Sequence, residues 1–179
     1  MKPIKPILTW AGAALSLVLV SCSSPSNLTQ ATAPSSQERV IAERVFKLVN
    51  VERVKAGKKE MRGSMSLNGL AQGHSKFQAT QGKSSDFGSV NRAQYAYLKH
   101  GIANLGEIYS AVPVSTSDPA KAAVNAWVKS VEHNRHLKQT WDLTGIGVYK
   151  ANNKYYITMM VGVRSGGVPR SMQPGSGHH

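Results

Sequence analysis

Leu143-Thr144-Gly145-Ile146-Gly147-Val148-Tyr149-Lys150, followed after Asn152-Asn153 by Lys154 to Val163, is the stretch that decides the fold class. Both runs alternate β-branched, aromatic and small residues, the pattern of half-buried strands. The paired asparagines between them predict a tight hairpin turn. Upstream, Glu107 to Val112 reads as a further strand.

The segments before and between these strands carry helical periodicity. Gln37 to Ala56 places Val40, Ile41, Val45, Leu48 and Val49 on one stripe, with Ser35 and Glu38 spaced as a capping box and Gly57 as a stop. A second helix is expected from Ser66 to Gln81, with Leu67, Leu70, Ala71, His74 and Phe77 on related turns and Gly82 at its end. Asn91 to His100 suits a third, closed by Gly101. A fourth is expected from Asp118-Pro119 to about Ser130, capped by Ser117. Trp127 and Val131 of that helix are expected to pack on Ile146, Val148 and Ile157. Helices that precede and interrupt an antiparallel sheet make an α+β domain.

Both ends of the chain differ in character. Lys2 and Lys5 form a basic start, Ile7 to Val20 is apolar and uncharged, and Leu19-Val20-Ser21-Cys22 closes the run like a bacterial lipobox. The run is shorter than the ~20 apolar residues a bilayer-spanning helix needs. Residues 1–21 therefore read as a lipoprotein signal peptide and Cys22 as the lipidated residue. Each buried acyl methylene would contribute about 0.8 kcal/mol to membrane retention. Ser23, where an aspartate could stand, resembles lipoproteins sent to the outer membrane in Gram-negative bacteria. Residues 22–36, rich in Ser, Thr and Pro, read as a flexible tether. Residues 164–179, with four glycines and no apolar run, read as a disordered tail. The remaining residues, 37–163, suit one domain with one core.

Cys22 is the only cysteine, so no disulfide within the chain can hold this domain together. The formal charge is +13, and removing the signal takes away two lysines and no acid. A strongly basic exported protein favours anionic envelope partners such as phospholipid head groups, lipopolysaccharide or wall polymers. Nucleic acid is the weakest of the anionic candidates, because the address is outside the cytoplasm and no nucleic-acid-binding motif is visible.

Four short segments recur in a telling order: Asn50-Val51-Glu52-Arg53 with Gly57, Gly106-Glu107-Ile108, Trp127-Val128-Lys129-Ser130 with His133, and Gly145-Ile146-Gly147-Val148. Together they resemble the CAP superfamily of cysteine-rich secretory, antigen 5 and pathogenesis-related class 1 proteins, in its disulfide-free bacterial branch. The resemblance spans roughly residues 40 to 163. It implies a three-layer α-β-α sandwich, with helices on both faces of a central antiparallel sheet.

It also implies a cleft in which two histidines and two glutamates can take a divalent cation. Glu107 matches the first glutamate and His133 the second histidine. Asp86, in Gly82-Lys83-Ser84-Ser85-Asp86-Phe87-Gly88-Ser89, stands where the first histidine is expected, and Ser130 stands where eukaryotic members have the second glutamate. Asp86, Glu107 and His133 form an oxygen-rich set that would hold a divalent cation weakly, with Ser130 or water completing the shell. The alternative is an ion-paired cleft without metal, in which Glu107 or Asp86 holds His133. His136, three residues beyond His133, would face the same side if the helix continues. His74, on an apolar stripe, reads as a hydrogen-bonded interior histidine.

Three functions follow. The first is an anchored envelope protein whose cleft around Asp86, Glu107, Ser130, His133 and His136 binds a lipid, a glycan, a wall fragment or a protein partner. The second is a hydrolase with Ser130, His133 and Glu107 as nucleophile, base and orienting acid, although no Gly-x-Ser-x-Gly elbow surrounds Ser130. The third is a structural or adhesive lipoprotein.

Overall fold

The computed structural model describes residues 33–82 and 86–165. The signal peptide, Cys22, the rest of the expected tether up to residue 32 and the expected tail after residue 165 lie outside these residues.

In chain order the elements are α1 (Ser36–Lys55), β1 (Arg62–Gly63), α2 (Met65–Gln81), α3 (Ser89–His100), β2 (Ile102–Pro113), α4 (Pro119–Lys129), α5 (Val131–Leu137), β3 (Leu143–Ala151) and β4 (Lys154–Arg164). The strands form one sheet in the order β1-β3-β4-β2. The three long strands are antiparallel, and β1 adds a two-residue parallel pairing at Leu143 and Thr144. Asn152 and Asn153 both adopt positive φ, at 49° and 57°, which gives the hairpin its tight turn.

Two apolar clusters lie on opposite faces of this sheet. One joins α1, α4 and α5 to the strands through Ile41, Val45, Val49, Trp127, Leu137, Ile146, Val148 and Ile157. The other joins α2 and α3 through Leu67, Ala71, Ala96, Ile102, Leu143 and Met160. The chain is thus the α-β-α sandwich that the motif order implied. Among the described residues, every buried apolar residue lies between Ile41 and Val161.

Local chemistry explains the segments that the sequence singles out. Ser35 and Glu38 make the expected capping box, so α1 begins inside the expected tether. Asn50 brackets Met61, donating from Nδ2 to its carbonyl (3.1 Å) and accepting its N–H at Oδ1 (2.9 Å). Arg53 is buried, and its guanidinium donates to the carbonyls of Lys59, Leu137 and Gln139, which sews α1 to the end of α5. Gly145 and Gly147 lie directly beneath α2. A Cβ on either would fall inside the backbone of Leu67–Asn68 or Ala71–Gln72.

Several boundaries differ from the sequence reading. Asp118, not Ser117, caps α4, accepting the N–H of Lys121. The backbone breaks at Ser130 and restarts as α5, so Val131 is 89% exposed and does not join Trp127 on the sheet. Val40 is 58% exposed, off the buried stripe of α1. At the chain's end, Arg164 completes β4 and Ser165 hydrogen bonds to Gly101, so the attached domain runs past Val163.

Candidate functional site

An irregularity in β2 creates the site. Between Ala103 and Gly106 the pairing with β4 shifts, and Asn104 adopts a φ of 52°. Such a slip exchanges the faces to which alternate side chains point. Before it, Ile102 packs with α2 and α3; after it, Ile108 and Val112 join the cluster under α1 and α4. Glu107 and Tyr109 consequently point toward α2 and α3.

Glu107 is met there by Arg92 of α3. Nε donates to Oε1 at 2.7 Å and Nη2 to Oε2 at 2.6 Å, a two-pronged ion pair with side chains only 16% and 9% exposed. The same guanidinium donates through Nη1 to the carbonyl of Phe87 at 2.8 Å, holding the turn before α3 against the strand. On the other side, Nδ1 of buried His74 lies 4.0 Å from Glu107 Oε2, and its Nε2 lies 3.4 Å from the Gln78 amide nitrogen. The reading of His74 as an interior histidine holds, with Glu107 as an unforeseen neighbour.

Aromatic rings lead from this buried pair to the surface. Tyr109 meets His74 edge-on with centroids 5.7 Å apart, Phe77 stacks on His74 at 6.4 Å, and Phe87 stacks on Phe77 at 5.8 Å. Phe87 is 72% exposed. Burial and then the negative charges of Asp86, Glu107 and Glu132 hold the Tyr109 hydroxyl above its usual pKa, with Arg92 acting in the opposite sense. The surface there is an apolar ladder beside carboxylates on a chain that is basic as a whole.

The residues expected to share a cleft are only partly brought together. Asp86 is exposed beside Phe87, and its carbonyl lies 3.5 Å from Arg92 Nη2. Ser130 caps α5, its hydroxyl accepting the backbone N–H of His133 at 3.4 Å. His136 lies on the opposite face of the sheet from Glu107. Its Nδ1 faces Gly106, where a Cβ would sit 3.4 Å away, and its carbonyl accepts the Trp141 indole N–H at 2.7 Å. Burial, followed by the charge of Arg135, lowers the His136 pKa.

The donor set does not suit the cation that the resemblance implies. Both oxygens of Glu107 are already engaged by a guanidinium, so a metal would have to displace a buried ion pair. Among the described residues no group of three or more His, Cys, Asp or Glu is gathered to hold a metal, and Asp86, Glu107 and His133 are not assembled as ligands. Arg92 and Tyr109 are the site residues that the sequence reading missed. Neither falls in any of the four quoted segments.

Comparison with solved structures gives relatives of the same fold. An outer surface protein of Borrelia burgdorferi aligns with a TM-score of 0.61 and 17% identity, over 74% of this chain and 96% of that one. An extracellular protein of Bacillus anthracis containing an SCP domain aligns at 0.57 and 21%, over 74% of this chain and 45% of that one. A cysteine-rich secretory protein of Staphylococcus aureus aligns at 0.53 and 14%, over 72% and 40%. The chain therefore spans less than half the length of the latter two. Among curated proteins no sequence match reaches significance. Among the described residues no helix is long and apolar enough to cross a membrane. The profile of the cysteine-rich secretory protein family, CAP, matches residues 46–163, and with the sandwich, the Gly-Glu strand and the Gly-x-Gly strand in place, the chain belongs to the CAP family.

Proposed function

We propose that this protein is a bacterial cell-envelope lipoprotein, anchored through Cys22, whose CAP domain binds a ligand or protein partner at the surface around Asp86 and Glu107, bordered by Ser130 and His133. The carrying observation is the aromatic ladder. Three rings run from the buried His74, beside the Arg92–Glu107 pair, to Phe87 at the surface. A large exposed aromatic next to partly buried charge is the kind of anchor on which binding surfaces rely. The full chain's charge of +13, which falls by the two signal lysines to +11 in the anchored form, adds attraction toward anionic envelope components over a longer range.

The hydrolase reading has less support. The bond between Ser130 and His133 runs through a backbone N–H and not through the imidazole, and Glu107 is spent on Arg92. A nucleophile needs a base within hydrogen-bond reach of its hydroxyl.

The test uses membrane-extracted protein. Intact mass should show acyl chains on Cys22, and Cys22→Ser should release the protein or leave an uncleaved precursor. Mass spectrometry of what co-purifies with wild type and with Phe87→Ala then addresses the site. A species lost in the variant supports the reading; identical sets for both proteins would refute it.

A further inference from the structure

The sheet edge opposite Glu107 is closed in an unusual way. β1 pairs only with Leu143 and Thr144, which leaves the outer edge of β3 from Gly145 to Lys150, the side away from β4, without a neighbouring strand. Its outward N–H groups, and the carbonyl of Val148, are met by side chains instead. Asn68 Oδ1 accepts the Ile146 N–H at 2.9 Å. Gln72 accepts the Val148 N–H at 3.0 Å and donates to the Val148 carbonyl at 2.8 Å. Glu38 Oε1 accepts the Lys150 N–H at 2.7 Å, while its Oε2 accepts the N–H of Ser35. Helices from both faces, α1 and α2, thus clamp this edge.

Beside the clamp, between α1 and α2, lies a cavity of about 590 Å³. Ala42 and Phe46 of α1, Met65 and Gly69 of α2, and Ile146 of β3 supply its apolar lining. That volume falls in the range of small-molecule sites. The N–H groups of Ile146, Val148 and Lys150 and the carbonyl of Val148 already have partners, so an added peptide strand would find no free N–H on this edge of β3 to pair with. At the rim, Arg39 donates to the Pro34 carbonyl and Glu43 stands nearby, while Glu38 supplies a second carboxylate. One cation against two carboxylates gives an anionic head group no net attraction. A cationic one would leave water for carboxylates that are either exposed or already bonded.

We infer that this edge cavity is a second binding site, for an uncharged apolar small molecule. It is separate from the Glu107 surface, which lies on the far edge strand, and does not depend on how that surface is read. Release of water from the Phe46, Met65 and Ile146 surfaces is the driving force. With the edge N–H groups already bonded and the rim charges offset, the site selects against charge.

Gly69 offers a clean test, because a Cβ built there meets no atom within 4 Å although the residue lines the cavity. Gly69→Leu should fill the cavity without straining the helix, and replacing a mid-helix glycine favours the helix. Gly73 is equally open but does not line the cavity, so Gly73→Leu is the control. The chain from Ser23 to His179 keeps every residue buried among the described ones and is titrated with the uncharged fluorophore N-phenyl-1-naphthylamine.

Saturable enhancement is expected for wild type and Gly73→Leu, and none for Gly69→Leu at an unchanged circular dichroism spectrum. Dodecanol should displace the probe, with dodecanoate and dodecylammonium about tenfold weaker because their charge finds no free partner. Lack of saturation in wild type, or equal binding by Gly69→Leu, would overturn the site. Preference for either charged competitor would overturn the ligand class.

Discussion

Arg92 grips both carboxylate oxygens of Glu107, with bonds of 2.7 and 2.6 Å, and so ties α3 to the edge strand β2. Removing one partner leaves the other charge half-stranded in a largely buried place. Arg92→Met should destabilise the fold toward the lower end of the ~3–5 kcal/mol typical of broken buried pairs, since part of the guanidinium still meets water. Glu107→Gln should cost less, because the amide oxygen still accepts one of the two bonds. The double variant Arg92→Met, Glu107→Gln should recover part of the loss. Urea denaturation of the four proteins as a cycle measures this. Strict additivity would show that the pair is not coupled.

The same guanidinium holds the Phe87 carbonyl, so Arg92→Met has a local effect as well as a global one. Amide exchange across Phe87 to Ser89 should quicken far more than exchange in α2. Uniform quickening across the domain would mean that Arg92 does not fix this turn.

How much of this was legible in the sequence depends on the range of the interaction. The capping box at Ser35 and Glu38, the Asn152-Asn153 turn and the strand pair are local, and the residues that make them stand within a few positions of each other. Gly145-Ile146-Gly147 reads in the sequence only as small residues of a strand, because the backbone it closely approaches, in α2, lies over seventy positions earlier. Arg92 gave no signal. It is an ordinary helical arginine until the slip in β2 turns Glu107 toward it. Val131 misled for a related reason: the apolar spacing continues past Ser130, but the backbone does not.

Gly147→Ala tests the contact between α2 and β3. A methyl group there would run into the backbone of Ala71 and Gln72, which cannot rotate away as a side chain could. The cost should reach or exceed the upper end of the ~1–3 kcal/mol usual for overpacking. Gly73→Ala, in open space, should be neutral or stabilising. Similar thermal midpoints for both variants would show that α2 does not ride on β3 as closely as described.

Trp127 is fully buried at the centre of the α1–α4 cluster, and among the described residues its indole N–H has no acceptor. Trp127→Ala should cost about 3–5 kcal/mol through the cavity it leaves. Trp127→Phe should cost markedly less, because it keeps most of the ring and removes an unsatisfied donor. Denaturant midpoints decide. Equal losses in the two variants would mean that the indole N–H has a partner in solution, such as a buried water.

His136 should make stability depend on pH. Burial and Arg135 lower its pKa in the fold, whereas Glu132 opposes the shift and His133 adds to it. In the unfolded chain the group titrates near the ordinary histidine value of about 6.5. Below that value the unfolded chain takes up a proton that the folded one resists, so the unfolded state is favoured as pH falls. The contribution is complete above the unfolded pKa and is lost as pH falls through the folded one. Stability measured by urea unfolding should therefore decline from neutral pH into the mildly acidic range. His136→Asn, which cannot take up the proton, should flatten that part of the profile while leaving the neutral plateau nearly level. An unchanged slope in the variant would assign the acid sensitivity to another group.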